Sequence, residues 1–323
     1  INTSNATLPQ LAVKGRKIVD DKGKEVKLRG LNYDCFYPMS KKLHDAIKSN
    51  NESPALWNVK LSSSFFNQGD IQNIKALGAN VIRVPLKLWE FEVKPYLYDS
   101  TSLQYLDYVV NQWGANGIYV LLSLHAAGQN NLSHNEYKNI IWDDEEFRNR
   151  VLAFWEAIAR RYKGSSYVAA YDLINEPQAP TKESLHSFYL RAIKRIRGLD
   201  PNRLLVIQRN LYKSESILYG GQYDAENLIH SIHFYKPAKF TMQGIGGRPS
   251  GYTYPGTYNN IYWDKSHISS YFKAIQTVFN PGNGPIFVGE FSATLTGGDS
   301  AIKWIRNVVQ VLNENDINYA FFD

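Results

Sequence analysis

The stretch Val168-Ala169-Ala170-Tyr171-Asp172-Leu173-Ile174-Asn175-Glu176-Pro177 is apolar for most of its length and ends abruptly in polar residues. A short run rich in branched and aromatic side chains reads as a buried parallel strand. Proline closes it, because its ring offers no N–H to a sheet ladder. Taking 168–176 as one strand, runs of the same character occur at 27–32, 80–85, 118–125, 203–208, 227–235, 285–290 and 318–323. Helical periodicity lies between them at 71–77, 103–113, 143–162, 185–197, 266–279 and 300–312, with Asp143 and Thr181 as expected N-terminal caps. Before the first barrel strand, 12–14, 17–19 and, after the turn Asp21-Lys22-Gly23-Lys24, 26–28 read as a short hairpin, and residues 1–10 as a polar tail. Eight strands alternating with about seven helices predict an α/β fold, a single-domain (β/α)8 TIM barrel over 11–323, with no eighth helix visible after the last strand. Two long connections, roughly 33–69 and 236–265, both leave the C-terminal ends of strands, the face on which barrels build their sites.

Composition excludes several classes. The chain has 323 residues, with 44% hydrophobic and 20% charged, so it is not a disordered chain. Mean hydropathy is −0.37 and no run approaches the roughly 18 apolar residues of a membrane span. Net charge is +6, but Lys and Arg never run past a pair (Lys41-Lys42, Arg160-Arg161), so a nucleic-acid stripe is not expected. Cys35 is the lone cysteine, which excludes an internal disulfide. No Gly-rich dinucleotide or phosphate loop follows a strand, and no cofactor is expected. Aromatic residues make up 14%, which suits a ligand of flat, partly apolar faces such as a sugar.

The polar residues at the strand ends are Arg83, His125, Asn175, Glu176, His233, Tyr235 and Glu290. A carboxylate directly after a buried apolar strand is costly unless donors hold it, and here there are two, on the fourth and seventh strands. Paired carboxylates across a barrel mouth suit the general acid and the nucleophile of a glycosidase. A serine triad would call for a nucleophile elbow, and none is present. His230 and His233 are three apart on a strand and point to opposite sides, so no metal site is expected from them.

These motifs resemble those of glycoside hydrolase family 5, the cellulase-type retaining β-glycanases. The likeness runs through Val26-Lys27-Leu28-Arg29-Gly30-Leu31-Asn32, Ala76-Leu77-Gly78-Ala79-Asn80-Val81-Ile82-Arg83, the His125 strand, Asn175-Glu176-Pro177, His233-Phe234-Tyr235 and Gly289-Glu290-Phe291, in the family's order. The resemblance implies Glu176 as acid/base and Glu290 as nucleophile. Arg83 is then expected to keep Glu290 ionised, Tyr235 to hydrogen-bond it, and Asn175, His125 and His233 to bind sugar hydroxyls. Where the family commonly ends its last strand in a tryptophan platform, this chain has Phe322. Trp89, Trp142, Tyr254 and Trp263 are the expected aromatic platforms at outer subsites. The implied activity is endo-hydrolysis of β-1,4-glucan, with β-1,4-mannan, exo-acting β-glucosidase or β-glucanase action, and a non-hydrolytic carbohydrate-binding barrel as alternatives. The implied partner is a β-linked polysaccharide or oligosaccharide, acted on by a secreted, extracellular monomer.

Overall fold

The structure is a computed structural model that describes residues 8–36, 50, 56, 59–60, 63, 66–126, 140–209, 223–278 and 284–322. Most of the 33–69 connection therefore lies outside the described residues. Strands β1 (Ala12–Lys14) and β2 (Lys17–Val19) pair antiparallel, with Gly15 taking a φ of +60° in the turn between them. Eight parallel strands then close a barrel in the order β3 (Arg29–Asn32), β4 (Val81–Lys87), β7 (Tyr119–Ala126), β8 (Val168–Asp172), β9 (Leu204–Gln208), β10 (Leu228–His233), β13 (Ile286–Glu290) and β14 (Asn318–Phe321), which pairs back onto β3. Among the described residues, the remaining strands form two small hairpins: β5 (Glu92–Lys94) with β6 (Leu97–Tyr98), and β11 (Gly256–Tyr258) with β12 (Ile261–Trp263).

Alternation along the strands divides the core. Leu28, Val81, Leu121, Val206, Ile229, Phe287 and Ala320 fill one cluster, which also takes in Leu11 and Ile18 of the opening hairpin. The hairpin thus closes the N-terminal end of the barrel, and Tyr119 donates a 2.9 Å hydrogen bond to the Pro9 carbonyl there. Two larger clusters pack between strands and helices, one around Trp113, Trp155 and Phe188, the other around Phe234, Trp304 and Phe272.

The helices start where short polar side chains can accept the free N–H groups of the first turn. Asn67 caps Gln68–Ala76, Asp99 caps Ser100–Ala115, and Thr181 caps Lys182–Arg197. Asp144, not Asp143, caps Glu145–Tyr162, because its carboxylate is the one that reaches the Phe147 N–H, at 3.0 Å. Lys265–Val278 and Gly298–Glu314 are two further long helices of the outer layer. Among the described residues, no helix is long and apolar enough to cross a membrane.

Strand β8 is shorter than its apolar pattern predicts. It stops at Asp172, and Leu173 to Glu176 continue as irregular backbone. That segment is still held: Leu173 and Asn175 donate to the carbonyls of Val206 and Leu124, and the Leu173 carbonyl accepts from Trp155 Nε1. The departure from pleat geometry lets two successive residues, Asn175 and Glu176, serve the barrel mouth.

Candidate active site

Arg83 is the hub. Val84 and Leu86 pack in the outer core, so alternation turns Arg83 toward the barrel axis. Its side chain is fully buried, and every edge is used. Nε and Nη2 donate to Asp172 Oδ2 at 3.0 and 2.7 Å, Nη2 to Asn175 Oδ1 at 2.6 Å, and Nη1 to Asn32 Oδ1 and Glu290 Oε1, both at 2.8 Å. Burial pulls the guanidinium's pKa down, but the Asp172 and Glu290 charges outweigh it and hold the group above its ordinary value.

Glu290 ends β13 and is 5% exposed. The pairing of β10 with β13 slips by one residue between Ile232 and His233, which brings His233 opposite Glu290. Tyr235 donates to Glu290 Oε2 at 3.0 Å. Burial, and then the Glu290 charge, push that phenol well above its usual range, so it keeps its proton and remains a donor. His125 Nε2 lies 3.7 Å from Glu290 Oε1. A Cβ at Gly289 would stand 2.9 Å from Ser231 Oγ and 3.0 Å from His233 Nε2, so a larger residue there would push on the site histidine.

Glu176 is half-buried and has a φ of +47°, a region that non-glycine residues avoid. Its N–H donates to Gln208 Oε1 at 2.9 Å. Its carboxylate Oε1 is 2.9 Å from His233 Nδ1, which is also 3.4 Å from Glu290 Oε2. Oxygens of Glu176 and Glu290 and the His233 nitrogen all lie within 4.8 Å of one another. The histidine spacing did not reveal this convergence, which by geometry alone could also take a metal ion. The Arg83 cation, 2.8 Å from Glu290, opposes a second positive charge there.

All seven strand-end residues read from the sequence therefore meet around one site. The aromatic platforms do not. Tyr254 is 2% exposed and Trp263 6%, both within the outer core. Tyr254 accepts a hydrogen bond from Asn307, and Trp263 packs on Phe234 and His267. The 236–265 connection buries these rings to anchor itself, which corrects their assignment as sugar platforms. Trp142 is likewise buried, edge-on to Phe188. Trp89 remains half-buried, with Lys87 Nζ 5.9 Å from its ring. At the last strand, Phe321 packs outward at 5.5 Å from Phe291. Alternation then puts Phe322 on the side of Ala320, toward the barrel interior.

Sequence reasoning missed Asn32, Ser123, Asp172 and Gln208. Ser123 Oγ donates to Asp172 Oδ2 at 2.8 Å, and Gln208 Nε2 to Asp172 Oδ1 and Oδ2 at 3.0 and 2.8 Å. The signal was available: Asp172 is a carboxylate in an apolar strand, and a buried acid requires a cation.

The sequence model of the family described as Cellulase (glycosyl hydrolase family 5) matches residues 19–323. A β-xylosidase of Phanerodontia chrysosporium is 31% identical over 70% of this chain and 52% of its own length. Endoglucanase C of Acetivibrio thermocellus is 23% identical over 80% of this chain and 84% of its own. The chain spans about half the length of the first curated relatives it matches. Among solved structures, the endoglucanase Cel5A of Thermotoga maritima superposes with a TM-score of 0.66 at 24% identity, over 79% of this chain and 82% of its own, and bears out the fold. With a family match over 19–323 and the acid pair in the family's order at the mouth of its barrel, the chain belongs to glycosyl hydrolase family 5.

Proposed function

We propose that the protein is a retaining β-glycanase that cuts β-1,4-glucan within the chain. The observation that carries the retaining mechanism is the closeness of Glu176 and Glu290, one carboxylate oxygen of each lying within 4.8 Å of the other. Retaining pairs stand about 5–5.5 Å apart, whereas inverting pairs need about 6.5–9.5 Å to admit a water.

In the first step Glu290 attacks the anomeric carbon, and protonated Glu176 gives its proton to the departing oxygen. Glu176, now ionised, draws a proton from water, which attacks the same carbon from the face the leaving group vacated and releases Glu290. Arg83 donates to one oxygen of Glu290 at 2.8 Å, and Tyr235 holds its second oxygen. Asn175 has its Oδ1 on Arg83, which turns the amide N–H₂ away to donate to the sugar 2-hydroxyl. His125 and His233 serve hydroxyls of the same sugar.

The name Endoglucanase C of one relative supports the endo reading; the name β-xylosidase of another supports a second, exo-acting reading on short chains. A polymeric substrate lies outside the cell, so a secreted monomer fits the proposal. Carboxymethyl-cellulose, mannan, laminarin and an aryl β-xyloside should be assayed side by side. A fast viscosity fall on carboxymethyl-cellulose per reducing end formed is the expected result. Single sugars released from chain ends without a viscosity fall would replace endo with exo action, and activity on mannan alone would replace glucan.

A further inference from the structure

We infer that Gln208 is a positioning residue that aims Glu176, by holding the Glu176 backbone in its left-handed conformation. This rests on Glu176 being the acid/base. Gln208 ends β9, is 4% exposed, and uses both ends of its amide. Asp172, already an acceptor from Arg83 and Ser123, can only accept, so the Gln208 N–H₂ must face it, at 2.8 and 3.0 Å. The amide oxygen is thereby turned to the Glu176 N–H, at 2.9 Å.

The backbone of Gln208 is clamped as well. Tyr189 donates its hydroxyl proton to the Gln208 carbonyl at 2.8 Å, and its oxygen accepts from the Gln208 N–H at 2.9 Å, both within the core. Gln208 therefore presents a fixed acceptor. The need for one is plain in the φ of +47° at Glu176, a glutamate in a conformation that only surrounding contacts sustain. With the acceptor removed, the segment after β8 relaxes toward extended backbone and the carboxyl swings off the departing oxygen. The contacts run Glu290, Arg83, Asp172, Gln208, Glu176, so the arginine that serves the nucleophile also anchors the acid. Gln208 acts through Glu176, and its loss should be felt only where a proton must be delivered.

The test is kcat/KM over a series of aryl β-glycosides, from 2,4-dinitrophenyl to unsubstituted phenyl, for Gln208→Met and Gln208→Glu. Gln208→Met keeps length and loses both hydrogen-bonding ends. It is expected to lose 10–100-fold on the phenyl glycoside and less than 3-fold on the dinitrophenyl one, whose leaving group departs without a proton. Equal losses across the series, or no loss, would overturn the inference. Gln208→Glu guards against a folding failure. Its new carboxyl, beside Asp172, stays protonated at low pH and then mimics the amide, donating to Asp172 and accepting from Glu176. Activity on the phenyl glycoside at low pH should match the parent, unlike that of Gln208→Met. A loss on the phenyl glycoside at low pH as large as that of Gln208→Met would overturn the inference. Glu176→Gln measured alongside separates the two levels: without a leaving-group split of its own, the acid/base reading fails; with one, while Gln208→Met shows none, only the role of Gln208 fails.

Discussion

Arg83 Nη1 stands 2.8 Å from Glu290 Oε1, while the other edge of the same guanidinium holds Asp172 at 2.7 Å. One buried cation thus compensates two buried carboxylates, one structural and one chemical. Arg83→Lys keeps a charge but not the planar fork that serves four partners at once. It is expected to lower kcat/KM about 100-fold or more and to destabilise the fold by about 3–5 kcal/mol, because Asp172 is left without its fork at zero exposure. Kinetics and denaturant melts check both; an activity change below threefold would show that the pair is not needed.

Tyr235 donates to the second oxygen of Glu290 at 3.0 Å. A hydrogen bond to a charged group contributes about 1.5–3 kcal/mol, so Tyr235→Phe is expected to cut kcat about 10–100-fold. The ring stays in place, so the thermal midpoint should move little. A large stability loss without a kcat effect would make the tyrosine a packing residue only.

The two phenylalanines at the end of β14 should behave differently. Phe321 is half-buried against Phe291, and Phe321→Ala is expected to cost about 1–2 kcal/mol, roughly half the value of a fully buried ring. Phe322, on the opposite side of the chain, is the residue proposed for the floor of the cleavage subsite. Phe322→Ala should lower turnover with little loss of stability. The reverse pattern in paired melts and kinetics would move the floor to Phe321.

Glu90 has a pH signature. Its carboxylate is 3.1 Å from Lys87 Nζ, which also meets Asp34 at 3.1 Å. Burial pushes Glu90 up to about 7 against the pull of the Lys87 charge, from an ordinary 4.5. Below the lower value both folded and unfolded chains hold the proton, and nothing changes. Between the two, the unfolded chain ionises first, so stability falls as pH rises, by up to about 3 kcal/mol, and levels off above 7. Unfolding free energies at pH 4.5 to 8 should show this fall in the parent and not in Glu90→Gln. Parallel curves would mean that folding leaves the Glu90 pKa where it stands in the unfolded chain.

The fold was legible because each barrel strand is a short apolar run with a polar end, and alternation leaves little choice about which face is core. The site was legible where chemistry coincides with a strand end, as at Glu176, Glu290 and Tyr235. It was illegible at Asp172 and Gln208, whose importance lies in partners brought from other strands: Arg83 is 89 residues from Asp172, and Gln208 is 32 from Glu176. Aromatic content misled for a physical reason. Rings such as Tyr254 and Trp263 are as useful for pinning a long connection onto the core as for stacking on sugar, and composition does not separate the two uses.

The central claim is double displacement by Glu176 and Glu290, and its direct test is the configuration of the first product. Proton NMR should follow the earliest turnovers of an aryl β-glycoside that the enzyme accepts, before mutarotation mixes the anomers. A β-anomer appearing first, its α form growing only later, is the expected result. An α-anomer at the outset would mean inversion by a single displacement, and would contradict the roles given to both glutamates.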